Sequence, residues 1–168
     1  MAVAFSPEGQ RIVSGGEDRT VHVWDAQSGS EIRQLTGHSD AIDSVIFGPK
    51  GKYIASAGHD KAVRIWDAKS GELIHSLEGH EKSVQGLVFT PDGEHLISVS
   101  PDRSIRFWDV EGGVNTFSLQ GDPDWVATYC VAISPDGKRL AWGGGKIRQG
   151  EIRLLDATVG RRDSIGDQ

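Results

Sequence analysis

Apolar and β-branched residues come along this chain in short runs, such as AIDSVIF, YIASA, AVRIWD and ELIHSL, each set off from the next by turn residues. Runs of that length between Gly, Pro, Asp and Ser predict short β-strands, four to a unit. The turns are of three kinds. Pro7, Pro49 and Pro91 head PEG, PKG and PDG, and Pro135 heads a second PDG. Proline presets φ for the first corner and glycine accepts the positive φ at the exit, so these turns join strands one and two. EDRT, HDKA and PDRS join strands two and three, and QSG, KSG and EGG join strands three and four. The prediction is a four-stranded antiparallel meander, repeated.

The repeat has a fixed period. Trp24-Asp25 returns as Trp66-Asp67 and Trp108-Asp109, 42 residues apart each time, and then weakly, five residues late, as Leu155-Asp156. Gly37-His38 returns as Gly79-His80 and as Gly121-Asp122, and Gly29, Gly71, Gly113 and Gly160 keep step. The units run from about 1 to 36, 37 to 78, 79 to 120 and, in degenerate form, 121 to 168. A lone meander cannot bury both of its apolar faces, and stacking units side by side in a radial array covers them. Adjacent large residues such as Ile65 and Trp66, which break strict alternation, are expected where neighbours cover both sides of a strand.

Gly-His, Pro-Asp-Gly, turn Asp and Trp-Asp in one register make the chain resemble the WD-repeat family over essentially its whole length. The resemblance implies an all-β fold: a β-propeller of four four-stranded antiparallel blades, the last incomplete, forming part of a ring. It also implies that each blade is fastened by a hydrogen-bonded quartet. The matching residues are His38, Ser56, Asp60 and Trp66 in the second blade, and His80, Ser98, Asp102 and Trp108 in the third. The first blade keeps Ser14, Asp18 and Trp24 without a histidine; in the fourth, Asp122, Trp142 and Leu155 replace the histidine, serine and tryptophan. Apart from the family, a buried indole N–H, hydroxyl, imidazole and carboxylate each need partners, and a relay satisfies them together.

Composition narrows the function. The 168 residues carry a net charge of −6 with both signs interleaved, which disfavours nucleic acid as a partner. No apolar run approaches the roughly 20 residues of a membrane span, and MAVAFSPEGQ has no basic leader. The single cysteine, Cys130 in TYCVAI, reads as a small buried hydrophobe, and a cytoplasmic setting is expected. Ser56, His38 and Asp60 have the residue types of a hydrolase triad. The trio recurs in the next unit, however, and no G-x-S-x-G surrounds either serine, so a structural role is expected and no catalytic residue is assigned. His22, His59, His75 and His95 lack ligand-like spacing, and AWGGGKIRQGE lacks the Lys-Ser/Thr pair of a phosphate loop; neither metal nor cofactor is expected.

What remains is surface, on the rim shared by the strand-four to strand-one and strand-two to strand-three loops. It would carry Arg19, Ser39, Asp40, His59, Lys61, Glu81, Lys82, Arg103, Trp125 and the stretch 146–149, including Arg148. Trp125 is the candidate anchor. By resemblance such a rim receives proteins or peptides, so the leading reading is a non-catalytic interaction scaffold. A regulatory or sensor segment of a larger multidomain protein, for example attached to a kinase or protease, is the alternative, and a propeller enzyme comes last. About fifteen strands are counted, since ATVGRRDSIGDQ offers no convincing last one. An arc of four blades would expose two apolar faces, to be covered by further blades of a longer chain or by a second copy completing an eight-blade ring.

Overall fold

The computed structural model describes residues 1–121, 127–146, 149–156 and 162–164. All of its regular structure is strand, arranged as four antiparallel sheets in chain order, each a simple meander. The first blade holds β1 (Ala2–Phe5), β2 (Arg11–Gly15), β3 (Thr20–Asp25) and β4 (Glu31–Thr36), and the second holds β5 (Ile42–Phe47), β6 (Tyr53–Gly58), β7 (Val63–Asp67) and β8 (Leu73–Leu77). The third holds β9 (Gly86–Phe89), β10 (His95–Val99), β11 (Ser104–Asp109) and β12 (Val114–Gln120). The fourth holds β13 (Ala127–Ile133), β14 (Arg139–Lys146), β15 (Gln149–Asp156) and β16 (Arg162–Ser164). This is a partial β-propeller, and the described residues hold sixteen strands rather than fifteen. The missed strand, β16, is three residues long and pairs through its backbone with Arg153–Leu155, so its polar sequence gave no sign of it.

The turn chemistry behaves as its residues require. Gly9, Gly51, Gly93 and Gly137 close the Pro-X-Gly hairpins at φ between 64° and 77°, a region costly for any residue with a Cβ. Three residues that are not glycine share that conformation: Arg19, Lys61 and Arg103, at φ 65°, 66° and 70°, each at the same place in its two-to-three turn.

Apolar clusters lie between blades. Val13, Val21 and Val23 of the first blade meet Val45, Phe47 and Trp66 of the second, and Ala55, Val63 and Ile65 of the second meet Leu87, Phe89 and Trp108 of the third. Ile97 and Ile105 of the third meet Val131, Ile133 and Leu155 of the fourth. Ile65 and Trp66 are both buried, and the pairing of β7 with β8 shifts register between them, a bulge that re-aims the indole. The same shift falls at Val23/Trp24 and Phe107/Trp108.

Two faces stay open. Val3 and Phe5 on the first blade are 68% and 64% exposed, and Ile152 on the fourth is 63% exposed. Cys130 corrects its expectation: it is exposed rather than buried. Its strand belongs to the last of the four sheets among the described residues, and its Sγ lies over Gly143 of the neighbouring strand.

Candidate functional site: the quartets and the loop rim

Cross-strand register brings the quartets together. Ser56 on β6 pairs with Arg64 on β7, and Trp66 lies two residues further along the same face of β7, diagonally opposite the hydroxyl. The Trp66 indole N–H donates to Ser56 Oγ at 2.8 Å, Ser56 Oγ lies 2.8 Å from His38 Nε2, and His38 Nδ1 lies 2.9 Å from Asp60 Oδ2. In the third blade the same links, Trp108 to Ser98 to His80 to Asp102, measure 2.8, 2.7 and 2.9 Å. At His38, whose burial favours the neutral form, an Nδ1–H that donates to the carboxylate and an Nε2 that accepts from the hydroxyl satisfy the whole relay.

Three further members escaped the sequence reading. Arg64 Nη1 donates to Asp60 Oδ2 at 2.6 Å and lies 2.7 Å from His38 Nδ1. In the third blade Ser104 Oγ takes over, 2.7 Å from Asp102 Oδ1 and 3.0 Å from His80 Nδ1. In the first blade His22 occupies the position of Arg64, contacting Asp18 at 2.7 Å and also Glu31. Each lies two residues before Trp24 or Trp66, or four before Trp108, and it is the register of the strand that places it by the carboxylate. Trp24 still donates to Ser14, at 2.9 Å, and His22 stacks on its ring. Beside them a cavity of about 520 Å³ is bounded by Ser14, Gly16, Asp18, His22 and Trp24 on the open side of the blade. In the fourth blade Trp142 and Leu155 are half-buried and pack into the last apolar cluster, while Asp122 lies outside the described residues.

Burial sets the charges. It is the main influence on His38 and pushes its pKa down, aided by Arg64 and opposed by Asp60. Burial also pushes the Asp102 carboxyl up, but hydrogen bonds from His80, the Ser104 hydroxyl and the N–H groups of Ser104 and Glu81 outweigh it and hold Asp102 well below the usual carboxylate range. Asp60 is likewise lowered against its burial, by His38, Arg64 and the Ser39 N–H. In all three the unfolded chain binds protons that the folded one refuses, so stability rises with pH across each window. The midpoint of urea unfolding, followed against pH, is therefore expected to fall on acidification in two stages. The first lies below about pH 6.5, as His38 would charge in the unfolded chain, and the second below about pH 4 from the two aspartates. His22, raised chiefly by its hydrogen bond to Glu31, has the opposite sign, and its window lies above about pH 6.5, so its contribution is complete before the first stage begins. A midpoint that stays level down to about pH 4 would contradict this.

The same carboxylates fasten the rim. Asp60 accepts from the Ser39 N–H at 3.1 Å and Asp102 from the Glu81 N–H at 2.8 Å, tying each four-to-one loop to the two-to-three turn of its blade. Blade is joined to blade by Ile42 N–H to Gly16 O and Val84 N–H to Gly58 O, both at 2.9 Å. Arg19, Ser39, Asp40, His59, Lys61, Glu81 and Lys82 are exposed on these loops, and His59 Nε2 lies 3.2 Å from Asp43. Arg103 is half-buried and engaged. Trp125 and Arg148 lie outside the described residues.

The chemistry available at the serines is small. Ser56 and Ser98 are fully buried, each held between an indole and an imidazole. Asp92, Glu94 and His95 set carboxylate and ring atoms within 4.8 Å of one another at a Pro-Asp-Gly turn, a grouping that spacing between histidines had not suggested. Asp92 already accepts from the Glu94 N–H there.

Comparison with known proteins agrees with this architecture. A family model described as "IFT122 first beta-propeller" matches residues 1–162. The "Probable serine/threonine-protein kinase PkwA" of Thermomonospora curvata is 50% identical over 40 residues, which is 24% of this chain and 5% of that protein. The "U3 snoRNP-associated protein-like YAOH" of Oryza sativa subsp. japonica is 43% identical over 42 residues, 25% of this chain and 8% of that protein. The "Dynein assembly factor with WD repeat domains 1" of Xenopus laevis is 40% identical over 43 residues, 26% of this chain and 10% of that protein. Each match is about one repeat long and spans a tenth or less of the relative. Among the described residues, no helix is long and apolar enough to cross a membrane.

Proposed function

Since the chain belongs to the WD-repeat β-propeller family, with the IFT122 first beta-propeller as its matching family model, we propose that it is a non-catalytic scaffold whose loop rim receives a protein or peptide. The observation that carries this reading is the repeat of a basic residue at one turn position of the rim, exposed at Arg19 and Lys61 and half-buried at Arg103. Arg19, Lys61 and Arg103 occupy one turn position in three successive blades, all at left-handed φ. That conformation is uncommon outside glycine and asparagine, and here it is imposed three times on a cation. Behind two of the three turns an aspartate holds the adjoining loop by its backbone, so the surface is set before a partner arrives and little ordering entropy is lost on binding. Net charge −6 and the mixture of signs on the loops favour a protein over nucleic acid.

Catalysis finds no support in the same geometry. A nucleophilic serine needs access to a substrate, and Ser56 and Ser98 are sealed in the sheet with their hydroxyls already engaged. Membership of a larger regulatory protein is the second reading, favoured by the kinase name carried by one relative, although that likeness is a single repeat long.

The rim is tested by capture from a lysate with the chain as bait. Joint replacement of Trp125, Lys82 and Arg103 by alanine is expected to abolish recovery of a specific protein partner, while far-UV circular dichroism remains that of a folded β protein. Undiminished capture would remove the rim from the proposal.

A further inference from the structure

The groove between the first and second blades is filled by an arginine of this chain, and the groove between the second and third has the same carbonyls and no arginine. Both lie on the rim formed by the one-to-two and three-to-four turns. Arg11 of the first blade reaches across to the second, where Nη1 donates to Ala68 O at 2.8 Å and Nη2 to Gly51 O at 3.3 Å. Its Nε and Nη2 also bond Glu8 of its own turn, and the guanidinium lies over the Phe47 ring, 5.2 Å from its centre. One period of 42 residues later the two acceptors return as Val110 O and Gly93 O, but Tyr53 stands in the place of Arg11. The register is the same, Tyr53 being opposite Asp67 as Arg11 is opposite Asp25. The Tyr53 ring packs against the apolar cluster of this junction, and among the described residues no side chain donates to either carbonyl. A cavity of about 460 Å³ opens there, bordered by Tyr53, Gly93 and Val110.

The walls of the two grooves also differ in sign. Lys50, Lys52 and Lys69 of the second blade return in the third as Asp92, Glu94 and Glu111. The charge of Arg11 is balanced by Glu8, whose counterpart one period later is Lys50. The cavity therefore has Asp92, Glu94, Asp109 and Glu111 on its third-blade side against Lys50 and Lys52 on its second-blade side, an excess of two negative charges. Lys52 lies over the Tyr53 ring, 4.7 Å from its centre. A planar guanidinium carries five donors and serves two carbonyls and a carboxylate together, as Arg11 does, whereas an ammonium is a point charge with three.

We propose that this groove binds an arginine side chain of a protein partner, its guanidinium entering beside Tyr53 to bond Gly93 O, Val110 O and a carboxylate of the third blade. The site lies between the second and third blades, on the rim opposite the four-to-one loops, so it does not rest on the scaffold reading of those loops.

Amide shifts of the isotope-labelled 168-residue chain, followed by NMR, test it with acetyl-Gly-Arg-Gly-amide as the probe. Saturable shifts are expected at the Gly93, Val110 and Glu111 amides. The same peptide with citrulline keeps the shape and loses the charge, and it is expected to bind about tenfold more weakly for want of charge-assisted hydrogen bonds. Tyr53→Arg supplies the groove with the chain's own guanidinium, as at the first junction, and is expected to remove the shifts while the rest of the spectrum stays that of the folded chain. Glu111→Lys, at an exposed position, reverses one charge of the wall and is expected to weaken binding by about tenfold. The second variant decides the matter if the first does not fold. No shifts at these amides with millimolar peptide, equal binding of the citrulline peptide, or unchanged binding by a folded variant would each overturn the proposal.

Discussion

Replacing Trp66 by alanine is expected to lower the unfolding free energy by about 3–5 kcal/mol, the range for large-to-small changes of buried aromatic residues. The indole is 1% exposed and packs with Val13, Leu35, Val45 and Ile54 between the first two blades. Its removal opens a cavity at the junction and also takes the donor from Ser56, leaving a buried hydroxyl with His38 alone. Trp66→Phe separates the two effects: it keeps most of the apolar volume and loses only the N–H, so about 1–3 kcal/mol is expected. Since a whole domain is commonly stable by about 5–15 kcal/mol, the alanine variant should be near the limit of folding. Urea unfolding measures both. A loss below about 1 kcal/mol for Trp66→Ala would mean that the junction is not where this fold is held.

The second large effect is expected at Asp102. Its side chain is 6% exposed and accepts from His80, the Ser104 hydroxyl and two backbone N–H groups. Asp102→Ala removes the acceptor and leaves all of these donors behind, at an expected cost of about 1–3 kcal/mol for each buried donor left unsatisfied. Asp18 provides the internal control. It holds the equivalent place in the first blade, but its side chain is 58% exposed and its partner is His22, so Asp18→Ala should cost about 1 kcal/mol or less. Equal losses at the two positions, measured by the same urea titration, would refute the assignment of the carboxylate as the tie between the loop and the turn. The effect at Asp102 also reaches the rim: with the Glu81 N–H released, the loop bearing Lys82 loses its anchor.

Much of this molecule is legible in its sequence. Period 42 located the blades, the Pro-X-Gly turns located their hairpins, and Ser56, His38, Asp60 and Trp66 announced themselves because four polar groups in one register must find each other when buried. Arg64 and Ser104 did not, because nothing in their spacing says that a side chain two or four places before a tryptophan turns towards the carboxylate rather than towards water. Cys130 misled for a related reason. Its apolar neighbours describe a strand with two covered faces, and whether the second face is covered depends on what stands beside the sheet.

The sequence alone determined the repeated unit: the four strands of the first three blades, the turn types and the Trp, Ser, His and Asp of the relay follow from local propensity and from residues that must be paired. The tertiary structure decided which faces those units share. It buried Phe47 and exposed Phe5, though both belong to the same sequence pattern, because burial in a radial array is a property of the neighbour and not of the strand. It also decided that β16 forms from polar residues, since a backbone pairs with whatever edge β15 offers it.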